Sequence, residues 1–241
     1  MGPGLASPRV GYAGGMAEPV GPDVVVFDVV GTFADLGIVR DRFISVAPPS
    51  SSFDGWFAHL LRDGMALTLS GAYEPFAIVA SSALRTYTRG FVSDADIEHV
   101  VGGFAETTPH PDVVAALDAA VASGARVFTL SNGSADSTAG FLDRAGVSDR
   151  VERVLSIDDV RAWKPAAAPY ELAVSSAGVT ADRCAMVAVH SWDLQGAGRA
   201  GMRTGWCRRE EKVPSAAFGE ADVSSQTLDG VVRALFDSTD E

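Results

Sequence analysis

The sequence is poor in cysteine, in long apolar runs and in positive charge. Among its 241 residues only Cys184 and Cys207 are cysteines. Both lie in apolar segments without a CxxC spacing, so we predict two buried free thiols. No apolar run approaches the ~20 residues that span a bilayer, and residues 1–15 lack the apolar stretch of a signal peptide. These absences argue against a disulfide framework and a membrane protein, and we expect a cytoplasmic location.

Negative charge dominates the composition. The chain carries 31 acidic and 19 basic residues, for a formal net charge of -12. Such a chain repels nucleic acid and anionic membrane surfaces, so we expect neither as a partner. A small-molecule anionic substrate would need a local positive group, which makes any lysine near a site important. Composition does not specify the oligomeric state, a homodimer included, or the substrate.

The segments present indicate an α/β protein. Residues 1–21, rich in Gly and Pro, are predicted to form a disordered tail in which Met16 is an alternative start. From about residue 111, apolar segments alternate with helical patterns, which predicts a doubly wound, parallel, Rossmann-like sheet as the core, over 22–36 and 108–241. The predicted strands are 24–29, 126–131, 153–157, 185–189 and 203–207.

The interval 37–107 breaks this alternation. Its segments read as helix after helix, and SFDGWFAHLLRDGMAL begins with Ser52 and Asp54 as candidate caps. Because the interval directly follows the first strand, we predict a helical cap domain inserted there, covering the sheet.

Polar residues stand where the predicted strands end. Asp28 follows the first, Ser131 and Asn132 the second, and 190–193 the fourth, while Lys164 lies in the loop after the third. Ligands bind beyond the carboxyl ends of parallel strands, so these groups should converge. A carboxylate can attack an electrophile covalently, and an ammonium keeps it ionised. Hydroxyl and amide groups can hold substrate oxygens, and a second acid can position water.

Four motifs occur in order, FDVVGT (27–32), TLSNGS (129–134), WKP (163–165) and HSWDLQGAGRAG (190–201). Together they resemble the haloacid dehalogenase-like (HAD) hydrolases, and SNG with KPxxxxY is most similar to the L-2-haloacid dehalogenase branch.

By that resemblance Asp28 is the nucleophile of a covalent aspartyl-ester mechanism, and Ser131 and Asn132 cradle the substrate. Lys164 is the charge partner, and Asp193 orients water. The residues expected to contact substrate are Val30, Trp56, Phe57, Tyr170, His190 and Trp192.

Departures from the family pattern refine this prediction. Val30 replaces the second aspartate of HAD phosphatases, and Ala188 replaces an acid that helps them hold Mg²⁺, which needs carboxylate oxygens. We therefore predict no metal and no cofactor. The dehalogenase branch has tyrosine, serine and asparagine at positions 30, 188 and 190, and its cap arginine falls at Phe57. Arg62 is on the same predicted helix, but its spacing does not bring it to the same face.

Simpler interpretations stand beside these. Asp28 can cap a turn, Lys164 can be an exposed loop residue, and residues 131–133 can simply form a turn. GAGRAG (196–201) matches a dinucleotide pattern, but residues 190–195 separate it from the strand. We therefore interpret its glycines as positions that let a helix pack tightly on the sheet.

Two residues of the last motif have further alternatives. Asp193 can be the N-cap of a helix over 194–200, and we expect it both to cap and to function. His190 can be a base, a substrate donor or a structural group. Trp192 fits a wall of the site better than a chemical role.

The sequence as a whole predicts a hydrolase of 2-haloacid dehalogenase type. The alternatives are a Mg²⁺-dependent phosphatase and a catalytically quiet HAD fold that binds a metabolite or protein partner.

Overall fold

The computed structural model describes residues 21–237, so all of the predicted tail except residue 21 lies outside the described residues. A six-stranded parallel sheet forms the core. Its strands, in spatial order, are β5 (Arg153–Ser156), β4 (Arg126–Ser131), β1 (Val24–Phe27), β6 (Cys184–Ala188), β7 (Arg203–Cys207) and β8 (Val223–Ser225). The chain moves from β1 to one side and then returns to the other. The topological switch point therefore lies at the carboxyl end of β1.

Helices cover both faces of the sheet, which explains why the strands are apolar throughout. Val25 and Phe27 pack into one layer, and Val24 and Val26 pack into the opposite one. The first layer contains α5 (Val113–Ala122), α6 (Ala135–Ala145) and α9 (Leu228–Phe236), and the second contains α7 (Ala167–Ala177) and α8 (Ser191–Arg199). The doubly wound α/β prediction is confirmed. Cys184 and Cys207 are buried free thiols, as predicted.

The inserted segment after β1 is helical, which confirms the predicted cap. Its helices are α1 (Gly37–Val46), α2 (Phe53–Leu69), α3 (Phe76–Tyr87) and α4 (Asp94–Gly102). α2 begins after Ser52, whose side chain accepts a hydrogen bond from the Gly55 amide, as a capping serine does. A short antiparallel pair, β2 (Ala34–Asp35) and β3 (Thr108–Pro109), joins the two ends of the insert.

The loop between β5 and α7 extends from the core into the cap. Trp163 of this loop is fully buried in the hydrophobic cluster of the cap. Its backbone amide donates to Thr68 Oγ1 at 2.9 Å, and its indole Nε1 donates to the Glu74 carbonyl at 3.1 Å. The ring lies so close to Gly64 of α2 that a Cβ there would clash with it. We call this contact between Trp163 and the cap the tryptophan anchor.

A second contact joins the same loop to the cap. The Tyr73 hydroxyl donates a hydrogen bond to Asp158, and the Arg161 guanidinium lies 4.9 Å from the Tyr73 ring centroid. Burial and the Asp158 carboxylate raise the pKa of Tyr73, so its hydroxyl keeps the proton that it donates. Within residues 21–237 no helix has the length and apolar character needed to cross a membrane.

Candidate active site

Asp28 lies directly after β1, at the switch point of the sheet. Its side chain is 5% exposed. Oδ1 accepts a hydrogen bond from Lys164 Nζ at 2.7 Å, and Oδ2 accepts one from Thr32 Oγ1 at 2.7 Å. Thr32 also accepts a hydrogen bond from the Val189 amide at 3.1 Å, so it links the loop after β1 to the end of β6. Thr32 was not predicted, although its place in the Gly-Thr turn after Asp28 signals it.

Lys164 lies at the centre of the site and is fully buried. Its ammonium donates to Asp28 Oδ1 at 2.7 Å, to Asp193 Oδ2 at 2.7 Å and to the Leu130 carbonyl at 3.0 Å. Its backbone amide donates to Asn132 Oδ1 at 3.1 Å. The structure thus contradicts the alternative of an exposed loop lysine. The convergence predicted for these groups is observed.

The two buried carboxylates beside this ammonium have opposite pKa shifts. Burial raises the pKa of Asp28, but Lys164 and the nearby His190 lower it by a larger amount. The net pKa therefore lies well below its usual value. Burial and the Asp28 charge raise the pKa of Asp193 above its usual value despite Lys164. Burial lowers the pKa of Lys164, but the two carboxylates raise it more. Asp28 is therefore held as a carboxylate and Lys164 as an ammonium.

Asp193 occupies the first turn of α8 rather than its N-cap position, so the predicted cap of a helix over 194–200 is wrong. The helix begins at Ser191, whose amide donates to the Glu211 carboxylate at 3.0 Å. This leaves the Asp193 side chain free to point inward, where it is fully buried. Oδ2 accepts from Lys164, and Oδ1 accepts from the Tyr170 hydroxyl at 2.6 Å.

Tyr170 was predicted to contact substrate, but the structure places it behind Asp193. It is fully buried, and its hydroxyl is directed at the Asp193 side chain and carbonyl. Gly196 packs against the ring so closely that a Cβ would lie 2.6 Å from it. The first glycine of GAGRAG thus serves helix packing, against Tyr170 of α7 rather than against the sheet.

Trp56 is also displaced from its predicted role. It is fully buried inside the cap, where it stacks on Phe43 at 5.5 Å and donates to the Ala80 carbonyl. The neighbouring Phe57 reaches the site, and its ring centroid lies 6.4 Å from that of His190. The apolar periodicity of α2 predicted a buried face, but it did not predict which of the two rings, Trp56 or Phe57, would point toward the core domain.

His190 is buried beside Asp28. Its Nδ1 lies 3.6 Å from Asp28 Oδ2, and within residues 21–237 it has no hydrogen-bond partner. The ring stacks on Trp192 at 5.1 Å. Burial lowers the pKa of His190, but the Asp28 carboxylate raises it more, so the net pKa is above its usual value. Gly31 has φ +86°, and a Cβ there would lie 3.2 Å from the imidazole, so a glycine is needed for two reasons.

A small cavity of about 50 Å³ lies between the core and the insert, beside the residues that follow Asp28. Val30 and Ser131 line it from the core, and Phe76 and Phe104 line it from the insert. Ser131 Oγ accepts from the Gly133 amide at 2.9 Å, so the SNG segment forms a turn and also borders the cavity. The enclosed space is far below the ~300–1,000 Å³ typical of drug-sized ligands.

The residues present do not fit a metal. Val30 and Ala188 offer no oxygen side chain where the phosphatase pattern has acids. Across residues 21–237 no group of three or more His, Cys, Asp or Glu side chains is arranged to hold a metal ion. Arg62, considered for the place of the cap arginine, is 59% exposed and pairs with Asp63.

Comparisons with known proteins agree with this architecture. The family model of haloacid dehalogenase-like hydrolases matches residues 22–201. Haloacetate dehalogenase H-2 of Moraxella sp. is 28% identical over 219 residues, covering 88% of this chain and 97% of the relative. (S)-2-haloacid dehalogenase H-109 of Pseudomonas putida is 28% identical over 194 residues, covering 78% and 87%.

Solved structures give the same picture. An L-2-haloacid dehalogenase superposes with a TM-score of 0.84 at 26% identity, over 90% of this chain and 99% of that one. The L-2-haloacid dehalogenase of Xanthobacter autotrophicus with chloropropionic acid covalently bound shares the fold, with a TM-score of 0.78 at 23% identity, over 89% and 98%. These matches give no support to the phosphatase or quiet-fold alternatives.

Proposed function

This chain belongs to the haloacid dehalogenase-like hydrolases, and from that premise we propose that it hydrolyses small 2-haloacids through a covalent ester on Asp28. The observation that carries the proposal is the Asp28 carboxylate held against the buried Lys164 ammonium at 2.7 Å. Positions 30 and 188, which a phosphatase would fill with acids, hold apolar residues. The dehalogenase names of the relatives support the same reaction class.

In the first step an Asp28 oxygen attacks the halogen-bearing carbon. The new C–O bond forms as the C–halogen bond breaks, and the halide leaves with the bonding electron pair. The Asp28 carboxylate is suited to nucleophilic attack, because its lowered pKa keeps it ionised and the hydrogen bonds from Lys164 and Thr32 fix its orientation. Ester formation neutralises Asp28, while Lys164 stays paired with Asp193.

In the second step water cleaves the ester. Its oxygen adds to the Asp28 carbonyl carbon and remains on the aspartate, and the 2-hydroxyacid leaves with an original Asp28 oxygen. Lys164 Nζ is within hydrogen-bond distance of Oδ1 and can stabilise the negative charge that develops on that oxygen.

Size and charge favour a small anionic substrate. Val30 and Ser131, both predicted site residues, line a cavity of about 50 Å³, which leaves little room for a long chain. A net charge of -12 makes the buried Lys164 important for an incoming carboxylate. This route needs no metal, because Asp28 supplies the nucleophile and the Lys164 ammonium hydrogen-bonds to both carboxylates.

A single turnover in H₂¹⁸O with (S)-2-chloropropionate or chloroacetate tests this proposal. We expect halide release, label on Asp28 and unlabelled product, with no change when EDTA is added. Asp28→Asn should lower the rate roughly a thousandfold or more, the scale seen when a nucleophile is removed. The exposed Asp136→Asn on α6 is the matched control and should keep full activity.

Two results would contradict the proposal. Label in the first product molecule would mean direct attack by water. Release of phosphate from a phosphate ester, if it disappears with EDTA and returns with Mg²⁺, would assign the site to phosphoryl transfer.

A further inference from the structure

Hydrolysis of the Asp28 ester needs a group that accepts a proton from water. Asp193, the residue predicted to orient that water, is poorly situated to accept the proton. Both oxygens of Asp193 already accept hydrogen bonds, from Lys164 at 2.7 Å and from Tyr170 at 2.6 Å. Its side chain is fully buried. A water molecule at the Asp28 ester would therefore meet Asp193 oxygens that each already accept a hydrogen bond.

The other polar side chains near Asp28 already donate their protons in hydrogen bonds, so they are not free to accept a proton from water. Lys164 directs its ammonium at three acceptors, which accounts for all three of its hydrogens. Thr32 donates to Asp28 and accepts from the Val189 amide. Tyr170 donates to Asp193, and burial with that carboxylate raises its pKa, so it keeps its proton.

His190 differs from all of these groups. Its Nδ1 lies 3.6 Å from Asp28 Oδ2, too far for a hydrogen bond, and has no partner among the described residues. We propose that His190 is the general base that activates water for hydrolysis of the Asp28 ester, and that the charge on Asp28 controls when it can act. This inference rests on the proposed ester mechanism and goes beyond it in naming the base.

The charged groups that face the imidazole explain the control. They are Asp28 after β1, Asp193 on α8 and Glu210 after β7, while the cap presents the uncharged Phe57. In the resting enzyme the Asp28 carboxylate favours the imidazolium. Alkylation removes that charge, and burial then favours the neutral imidazole, which releases its proton to solvent. His190 becomes a base only after the ester has formed.

The proton balance closes over the cycle. Neutral His190 takes one proton from water as the water oxygen bonds to the ester carbonyl carbon. The tetrahedral intermediate collapses, the bond to the substrate oxygen breaks, and the leaving alkoxide takes that proton. The second proton of the original water then passes from the Asp28 carboxyl to His190. The products are the hydroxyacid, ionised Asp28 and an imidazolium, which is the resting state.

His190→Asn tests the proposal, with the exposed His99→Asn on α4 as matched control. We expect one equivalent of halide to be released at a near-normal rate, followed by ester hydrolysis slowed about 10²- to 10⁴-fold, the usual range for a lost general base. Mass spectrometry of the Asp28 peptide should then show the accumulated ester. The His99→Asn protein should show no accumulation.

A slow halide burst without accumulated ester would overturn the proposal, since His190 would then act in substrate binding or alkylation. So would normal ester decay in His190→Asn. Wild-type protein supplies a test that does not depend on the folding of a variant. The decay of its ester should quicken with rising pH and reach a plateau as the imidazole loses its proton, and a pH-independent decay would refute the base.

A separate measurement distinguishes failure of the ester mechanism from failure of the His190 proposal. It would appear as ¹⁸O in the product of the first wild-type turnover, whatever the behaviour of the His190 variant.

Discussion

At the scale of single residues, Lys164 is the group on which the site depends. It is the ammonium that separates Asp28 from Asp193 at 2.7 Å from each. Its removal would leave two adjacent carboxylates in a buried space without the ammonium that pairs with both of them, which is costly. The same residue that prepares the nucleophile therefore also stabilises the fold.

We predict that Lys164→Met lowers the free energy of unfolding by about 3–5 kcal/mol at pH 8, the usual cost of removing one partner of a buried ion pair. The loss should shrink toward pH 5. In the wild type the lowered pKa of Asp28 gives stability that is present above its unfolded pKa and lost as pH falls through the folded value, so this contribution stays constant between pH 8 and pH 5. In the variant the carboxyl pKa values rise, so protonation at lower pH relieves the repulsion.

Urea unfolding of both proteins at pH 5 and pH 8 measures this. Exposed Lys212→Met is the control and should change stability by less than about 0.5 kcal/mol. A loss that is equal at both pH values would show that charge repulsion is not its cause.

Sequence placed the charged residues of the site well but misplaced two of its predicted aromatic residues, Trp56 and Tyr170. Asp28, Lys164 and Asp193 converge because each follows a strand or opens a helix at the same edge of the sheet, and that position is set by topology. Trp56 and Tyr170 lie on helices, where a small rotation decides between cavity and interior. Their orientation depends on partners such as Phe43 and Gly196 that are distant in sequence.

At the scale of elements, α2 carries a glycine for a packing reason. Gly64 lies in the interior of this helix, where glycine costs about 0.5–1 kcal/mol relative to alanine. It is needed because the Trp163 ring occupies the space of a side chain. The residue after Trp163 is Lys164, so crowding at Gly64 acts directly on the segment that positions the ammonium.

We predict opposite effects for alanine at two helical glycines. Gly64→Ala should destabilise the protein by about 1–3 kcal/mol through overpacking against a rigid ring, and should lower kcat/KM by moving the Lys164 segment. Gly140→Ala in α6 should stabilise by about 0.5–1 kcal/mol, since its nearest neighbour is the flexible end of Arg144 at 3.4 Å. Thermal unfolding and steady-state kinetics measure both, and stabilisation by Gly64→Ala would contradict the packing argument.

The elements that sequence missed lack local signals. α1 follows Leu36, which has no capping group, and its first turn contains no acidic residue. β8 is three residues long and reads VSS, without an apolar run. Each is held by tertiary contacts, with α1 against the other cap helices and β8 beside β7. α2 was predicted correctly because Ser52 supplies a cap that can be read locally.

At the scale of the whole molecule, the buried apolar residues form three hydrophobic clusters. Two lie on opposite faces of the sheet and the third fills the cap. The third also contains Ile157 and Trp163 from the core, so the cap interior is completed by residues of another domain. The cap and the core therefore share part of their stability.

We predict that the two domains unfold together. Trp56 and Trp163 lie in the cap cluster, whereas Trp192 and Trp206 lie on α8 and β7 of the core, so tryptophan fluorescence reports on both domains. Urea transitions followed by tryptophan fluorescence, far-UV circular dichroism and loss of activity should therefore coincide. A fluorescence transition in two steps, or transitions at different urea concentrations for the three signals, would mean that the domains unfold separately, contrary to this expectation.

The tryptophan anchor has a consequence for how such enzymes diversify. Caps are often regarded as interchangeable modules that can be exchanged to alter specificity. Here a transplanted cap must bring a socket for Trp163, formed by a glycine facing the ring, a hydroxyl for its amide and a carbonyl for its indole. A donor cap without that socket would disturb Lys164 even if its substrate-facing residues were ideal. Recombination among relatives should therefore succeed only when α2 and the segment from β5 to α7 are inherited together.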